Sequence, residues 1–214
     1  MYIHEHISGI QGAPMLGRFA PLPQLDVKKH GASDGAVTAA AAVMDKIFSG
    51  LSPLNVDFLR GLSIHLHIIP HGKQVTDIAE FRKLKDKTAP NGRSYDSVRA
   101  VDAMRSGSRI EYAVGEESIV EGFVVAQESA RVVARFALTK SEQQWLQSLF
   151  NERKQKSGAW VSADAVFNPE AYFSGSVAAL FGYRFNRAWL YQNDPRMYSL
   201  VSAVFRHAPG PIPG

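Results

Sequence analysis

One stretch, Gly122–Phe136, limits what this chain can fold into more than any other. Val124, Val125, Val132, Val133 and Phe136 leave little room for a solvated face, so the pattern predicts a buried helix. Gln127, Glu128 and Arg131 interrupt it at i, i+1 and i+4. Polar groups on a buried helix cost free energy unless they are paired, so the trio implies either a site or a pairing.

The spacing is that of the helix His-Glu-x-x-His, in which two His at i and i+4 share one face, bind zinc, and leave the Glu as general base. Here the pattern stands as Gln127-Glu128-Ser129-Ala130-Arg131, with the base present and both histidines absent. Taken alone, the same residues also read as a buried helix with one ion pair, because Glu128 and Arg131 are neighbours at i, i+3.

A chain of 214 residues is compatible with one large domain or two small ones, and 45% hydrophobic residues suffice for a sizeable core. The net charge of +4 is modest and its basic residues are scattered. The densest cluster, Arg82–Lys87, reads as a solvated helix end; no aromatic residues interleave with it, so no nucleic-acid partner is expected. The absence of cysteine excludes disulfides, thiolate metal sites and a cysteine nucleophile. Met1–His6 has no basic region leading into an apolar run, so no signal peptide is expected. No run of about 18 apolar residues occurs, so no membrane span is expected either.

Residues 1–33 are rich in Gly and Pro and predict a loosely ordered arm or linker. A helix is expected through Ala36–Phe48, with Asp34 as its cap, and a short one through Phe58 and Leu59. Leu62–Pro70 alternates, with Ile64, Leu66 and Ile68 on one side and Ser63, His65 and His67 on the other, which predicts a half-buried strand. A short helix near Thr76, strands at Val98–Val101 and Ser108–Val114, and then the central helix follow. Thr139–Glu142 is a capping box that opens a helix to about Gln155, while Asn168-Pro169 and Asp194-Pro195 each pair an N-cap with proline to open another. The expected organisation is one domain over 34–207 and a flexible tail over 208–214. Its class is α+β, a small mixed sheet with surrounding helices.

In this order the parts resemble a known family. The strand ending Ile68-Ile69-Pro70, the segment Asn91–Arg99, then Val114–Glu117, the helix carrying Glu128, and Asn168–Phe181 are together similar to the anthrax lethal factor-type zinc peptidases. Within that group the resemblance is to the C-terminal peptidase-like effector domain of type VI secretion spike proteins, over roughly residues 50 to 205. It implies a zincin-like metallopeptidase fold with Glu128 at the position of the general base. It also implies metal-ligand positions at Gln127 and Arg131, and a third at Gly175, where the family has a Glu on a later helix.

None of these three residues is an ordinary zinc ligand, since catalytic zinc takes His or carboxylate ligands and keeps one position open. A Gln carbonyl is a poor substitute, glycine has no side chain, and arginine brings a permanent positive charge. No zinc or other cofactor is therefore expected in this form. Without the ion, Glu128 has no activated water or polarised carbonyl to act on, so peptide hydrolysis is not expected. The Arg131 guanidinium is expected to fill the former metal region. A natural pseudo-peptidase and an engineered replacement of the ligands read alike.

Other residues carry paired readings. Glu116 and Glu117 are either at the edge of the cleft or an acidic pair at a helix N-terminus. Tyr172 is either a cleft tyrosine or a packing residue. His65 and His67, at i and i+2, are either metal ligands or histidines on a solvated strand face, no carboxylate near them in sequence completing a set. The expected partner is a peptide or protein in the cleft, with an upstream spike or carrier domain implied by the resemblance. By the same resemblance the chain would be an effector toxin delivered into a target cell, with the periplasm as a candidate compartment; otherwise it is cytoplasmic. Two rivals stay open, an active endopeptidase using a different metal site and a structural, partner-binding module of a secretion spike.

Overall fold

The computed structural model describes residues 20–89, 92–119, 122–156, 158–183 and 187–206. Alternating and β-branched stretches form strands β1 (Gln24–Lys28), β2 (Ser63–Ile69), β3 (Ala100–Ser106) and β4 (Arg109–Gly115) of one sheet, in the order β1-β2-β4-β3. β1, β2 and β4 run parallel, and β3 is antiparallel to β4. Parallel neighbours need a long crossover, and helices α1 (Asp34–Ser49) and α2 (Pro53–Leu59) supply the first. The β3–β4 hairpin turns at Gly107, whose φ of +61° is strained for a residue with a Cβ.

The remaining helices are α3 (Phe123–Phe136), α4 (Lys140–Lys154), α5 (Pro169–Leu180), α6 (Arg187–Asn193) and α7 (Pro195–Val204). The three cap signals hold. Thr139 and Glu142 form a reciprocal capping box, and Asn168 and Asp194 accept from the first turns of α5 and α7. At α1 the cap is Ser33, one residue earlier than expected, with Asp34 in the first turn where its charge suits the helix dipole. No described helix is long and apolar enough to cross a membrane.

Three expectations change. Gln24–Lys28, inside the stretch read as a loose arm, is strand β1; its parallel ladder to Ser63–His67 supplies a stability that composition does not report. Residues 1–19 of that arm and the expected tail, 208–214, lie outside the described residues. The third strand begins at Ala100 rather than Val98, because Asp96 accepts from Thr76 Oγ1 and Asp86 N and holds the preceding residues in a turn. The third change concerns β2, which is covered on both faces. Ile64, Leu66 and Ile68 enter the main core with the helices. The other face lies under residues 70–89 and 92–98, which fold back to make a second small core with Ile69, Val75, Ile78, Phe81, Val98, Val101 and Ala113. His67 is fully buried there, not on a solvated face.

Candidate functional site

The helix α3 starts at Gly122 in the left-handed region, φ +65°, where a Cβ would come within 2.9–3.1 Å of Tyr183 and Val43. Only glycine tolerates both that backbone and that approach, so this position sets how α3 lies against α1. From there α3 packs on β3, β4, α1 and, most extensively, α5. Tyr112 of β4, fully buried, hydrogen bonds through its hydroxyl to Ser129 Oγ at 2.8 Å and fixes the rotation of α3 on the sheet.

That rotation points Gln127, Glu128 and Arg131 into a cleft of about 740 Å³. Ala100, Val101 and Asp102 of the edge strand β3 form one wall. Asp164, Phe167, Asn168 and Ala171, from the approach to α5 and its first turn, form the other. Arg93, Tyr95, Val98, Arg99, Ser118 and Val124 complete the lining.

The cleft floor is a run of alternating charges. Arg131 pairs with Glu128, Nη1 to Oε1 at 3.2 Å, and with Asp102 of β3. Asp102 Oδ2 lies 3.9 Å from Arg135 Nη2, and Arg135 in turn pairs with Glu170 of α5 and donates to the carbonyl of Ala103 at 2.7 Å. Edge strand, α3 and α5 are thus joined by one network. Glu128 is only 3% exposed. Burial pushes its carboxyl up to about 7, with Asp102 and Asp164 adding to the rise and Arg131 opposing it.

The helices carrying Gln127, Arg131 and Gly175 pack together. It is Ala171, one turn before Gly175, that lines the cleft with Gln127, Glu128 and Arg131. Gly175 itself is buried, and a Cβ there would meet Ser162 Oγ at 2.9 Å and Val161 Cγ1 at 3.0 Å. Gln127 is buried with Nε2 unpartnered, as are Arg131 Nε and Ser162 Oγ. Two of these orphaned atoms are obligate donors and ask for an acceptor, whereas a divalent cation needs lone pairs. With Arg131 held between two carboxylates, the set does not fit a divalent metal.

The other predicted residues fall elsewhere. Glu116 and Glu117 sit in a 3-10 turn after β4 and do not line the cleft. Glu116 accepts from the N–H of Ser33 at 2.8 Å and of His71 at 3.4 Å, and bonds from Ser33 hold its carboxyl below the ordinary range. Glu117 pairs with Arg99, which also donates to the carbonyls of Ile69 and Pro70. Both glutamates are structural ties, a demand that the surrounding loops impose and the sequence does not announce. Tyr172 packs on Trp160 and Phe150, and its hydroxyl donates to Asp194. It borders a separate pocket of about 190 Å³ and is a packing residue. His67 lies against Phe81 and His65 against Glu111, and neither lines the cleft.

Asp102, Asp164 and Phe167 were not legible as site residues. Asp102 meets Arg131 only through the placement of β3 beside α3, and no spacing along the chain encodes it. Phe167 carries a weak signal, an aromatic residue just before an N-cap and proline, and it is 71% exposed at the cleft wall.

No protein-family model matches the chain, and no curated protein does. Among solved structures it is similar to the PRO-PRO endopeptidase PPEP-2 from Paenibacillus alvei, with a TM-score of 0.52 and 20% sequence identity over 86% of this chain and 97% of that one. At that identity the likeness speaks for the fold alone. The chain has an α+β fold, a small four-stranded sheet with several helices, that is similar to a metallopeptidase fold.

Proposed function

We propose that this chain is a metallopeptidase-like effector domain whose metal-ligand positions have been replaced, and that it binds a peptide segment in the cleft rather than cutting it. The observation that supports the reading is the Glu128–Arg131–Asp102 network, which holds a guanidinium against Glu128, the residue that the resemblance puts at the general-base position. A permanent cation in that place repels a second one, and it turns the general base into an ion-pair partner.

The cleft suits an extended peptide. β3 is an edge strand with Ala100–Asp102 open to the cleft, and a peptide that adds to such an edge gains main-chain hydrogen bonds without needing a particular sequence. Phe167 offers an exposed ring to an apolar side chain of the peptide. The effector role and delivery from a secretion spike rest on the order of sequence parts described above.

The test compares the unaltered chain with Gln127→His/Arg131→His/Gly175→Glu, carried with Val161→Ala and Ser162→Gly to make room. The unaltered chain is expected to bind peptides from a broad library and cleave none, and the restored chain to gain a metal beside Glu128. Zinc-dependent cleavage by the unaltered chain, abolished in Glu128→Gln, would refute the reading.

A further inference from the structure

On the sheet face away from α3, a second cluster of ionisable side chains is buried for no reason the cleft supplies. The parallel register of β2 and β4 sets His65 opposite Glu111. Glu111 Oε2 lies 2.6 Å from His67 Nε2, and His65 Nδ1 is 3.2 Å from the same carboxylate. Glu111 therefore receives two imidazoles, and His67 is fully buried, its ring edge-on to Phe81. A buried imidazole–carboxylate pair is costly to desolvate and is not what packing alone would select.

The other nitrogen of His67 faces a different group of residues. Its Nδ1 is 2.7 Å from His30 Nε2 and 4.0 Å from Glu80 Oε2. The two rings meet edge to edge, with centroids 5.0 Å apart and planes within 15°. His30 closes β1 in the left-handed region, φ +49°, and Glu80 stands on the 3-10 turn Ala79–Leu84. The three ligand atoms lie within 4.8 Å of one another.

We propose that His30, His67 and Glu80 bind a divalent transition-metal ion of the zinc class, with Glu111 as the carboxylate that orients His67. An ionised carboxylate only accepts, so Glu111 fixes the proton of His67 on Nε2 and leaves the lone pair on Nδ1, directed at His30 and Glu80. A metal-ligating histidine characteristically gives its other ring N–H to a carboxylate in this way. His65 steadies that carboxylate and is not itself a ligand. Two imidazoles and one carboxylate are a normal zinc set that leaves a position open to water.

The spacing is compatible with an ion. Tetrahedral ligands at ordinary zinc distances sit about 3.3 Å apart, between the observed 2.7 Å and 4.0 Å. His67 is fixed on an interior strand, while His30 in a turn and Glu80 on the surface can each adjust. Glu80 is 39% exposed, which gives the ion a route in. None of these residues lines the cleft, so the site is separate from it and ties the end of β1 to the segment that covers the sheet.

Metal-free full-length protein titrated with zinc chloride in a calorimeter, and with cobalt(II) followed by visible absorption, tests the proposal. One equivalent of zinc is expected, with a tetrahedral cobalt spectrum. His30→Ala and Glu80→Gln, both on adjustable surface segments, are expected to weaken zinc at least tenfold while circular dichroism stays native. Glu111→Gln is expected to weaken it about tenfold or more, as loss of an orienting carboxylate does. No stoichiometric binding, or binding unchanged by His30→Ala, would overturn the proposal. Zinc lost instead on Gln127→Ala would overturn it too, and would separately count against the metal-free reading of the cleft.

Discussion

At the residue scale, Arg131 and Glu128 decide what the cleft can do. Arg131 is the centre of a buried pairing, with Glu128 on its own helix and Asp102 across from it. Removing one partner of such a pair leaves the other uncompensated, so Arg131→Met is expected to destabilise the fold by about 3 kcal/mol or more near pH 8. The loss shrinks near pH 5, because Glu128 can then take up a proton; denaturant titrations at the two pH values check both. The partner variant Glu128→Gln tests a linkage of opposite origin. Burial raises the Glu128 carboxyl from 4.5 to about 7. The unfolded chain therefore gives up this proton first, and the group's contribution to stability is complete below pH 4.5, falls between 4.5 and 7, and is flat above. Glu128→Gln is expected to remove a slope worth ~3 kcal/mol across that window, read as the change in unfolding free energy with pH.

At the scale of elements, the close contact of α3 with α5 limits how the site can be altered. Gly175 lies where Ser162 and Val161 have filled the space beside α5. A side chain there overpacks, so Gly175→Glu alone is expected to lower stability by about 1–3 kcal/mol. Adding Ser162→Gly and Val161→Ala is expected to recover part of that loss, which thermal denaturation of the single and combined variants would show. The elements themselves were largely legible. Helix starts were marked by Thr139, Asn168 and Asp194 because a cap is local chemistry, one side chain bonding an N–H two or three residues on. β1 was not, since Gln24–Lys28 gains its order from pairing with a strand some forty residues away.

At the scale of the molecule, the sheet is sandwiched between a helical layer and the cover built by residues 70–89 and 92–98, and its β3 edge is left open to the cleft. Both faces of β2 and β4 are buried, and their register places Glu111 beside His67. The exposed Phe167 at the cleft wall belongs to no core. Phe167→Ala is therefore expected to leave the melting temperature unchanged while weakening a cleft-bound peptide by about tenfold, the equivalent of ~1.4 kcal/mol. Fluorescence anisotropy of a labelled peptide beside a melting curve would read both.

What the sequence determined by itself was whatever depends on near neighbours along the chain. The helix at 123–136, its polar trio, the ion pair between Glu128 and Arg131, and the caps all follow from spacings within one or two turns. Tertiary structure alone decided which distant groups those residues meet. Asp102 reaches Arg131 because an edge strand lies beside α3, Glu111 reaches His67 through strand register, and His30 and Glu80 reach the same histidine from a turn and a covering loop. The physical reason is that charge pairs and ligand sets form through space, and the chain separations they bridge leave no local pattern for a reader of the sequence to find.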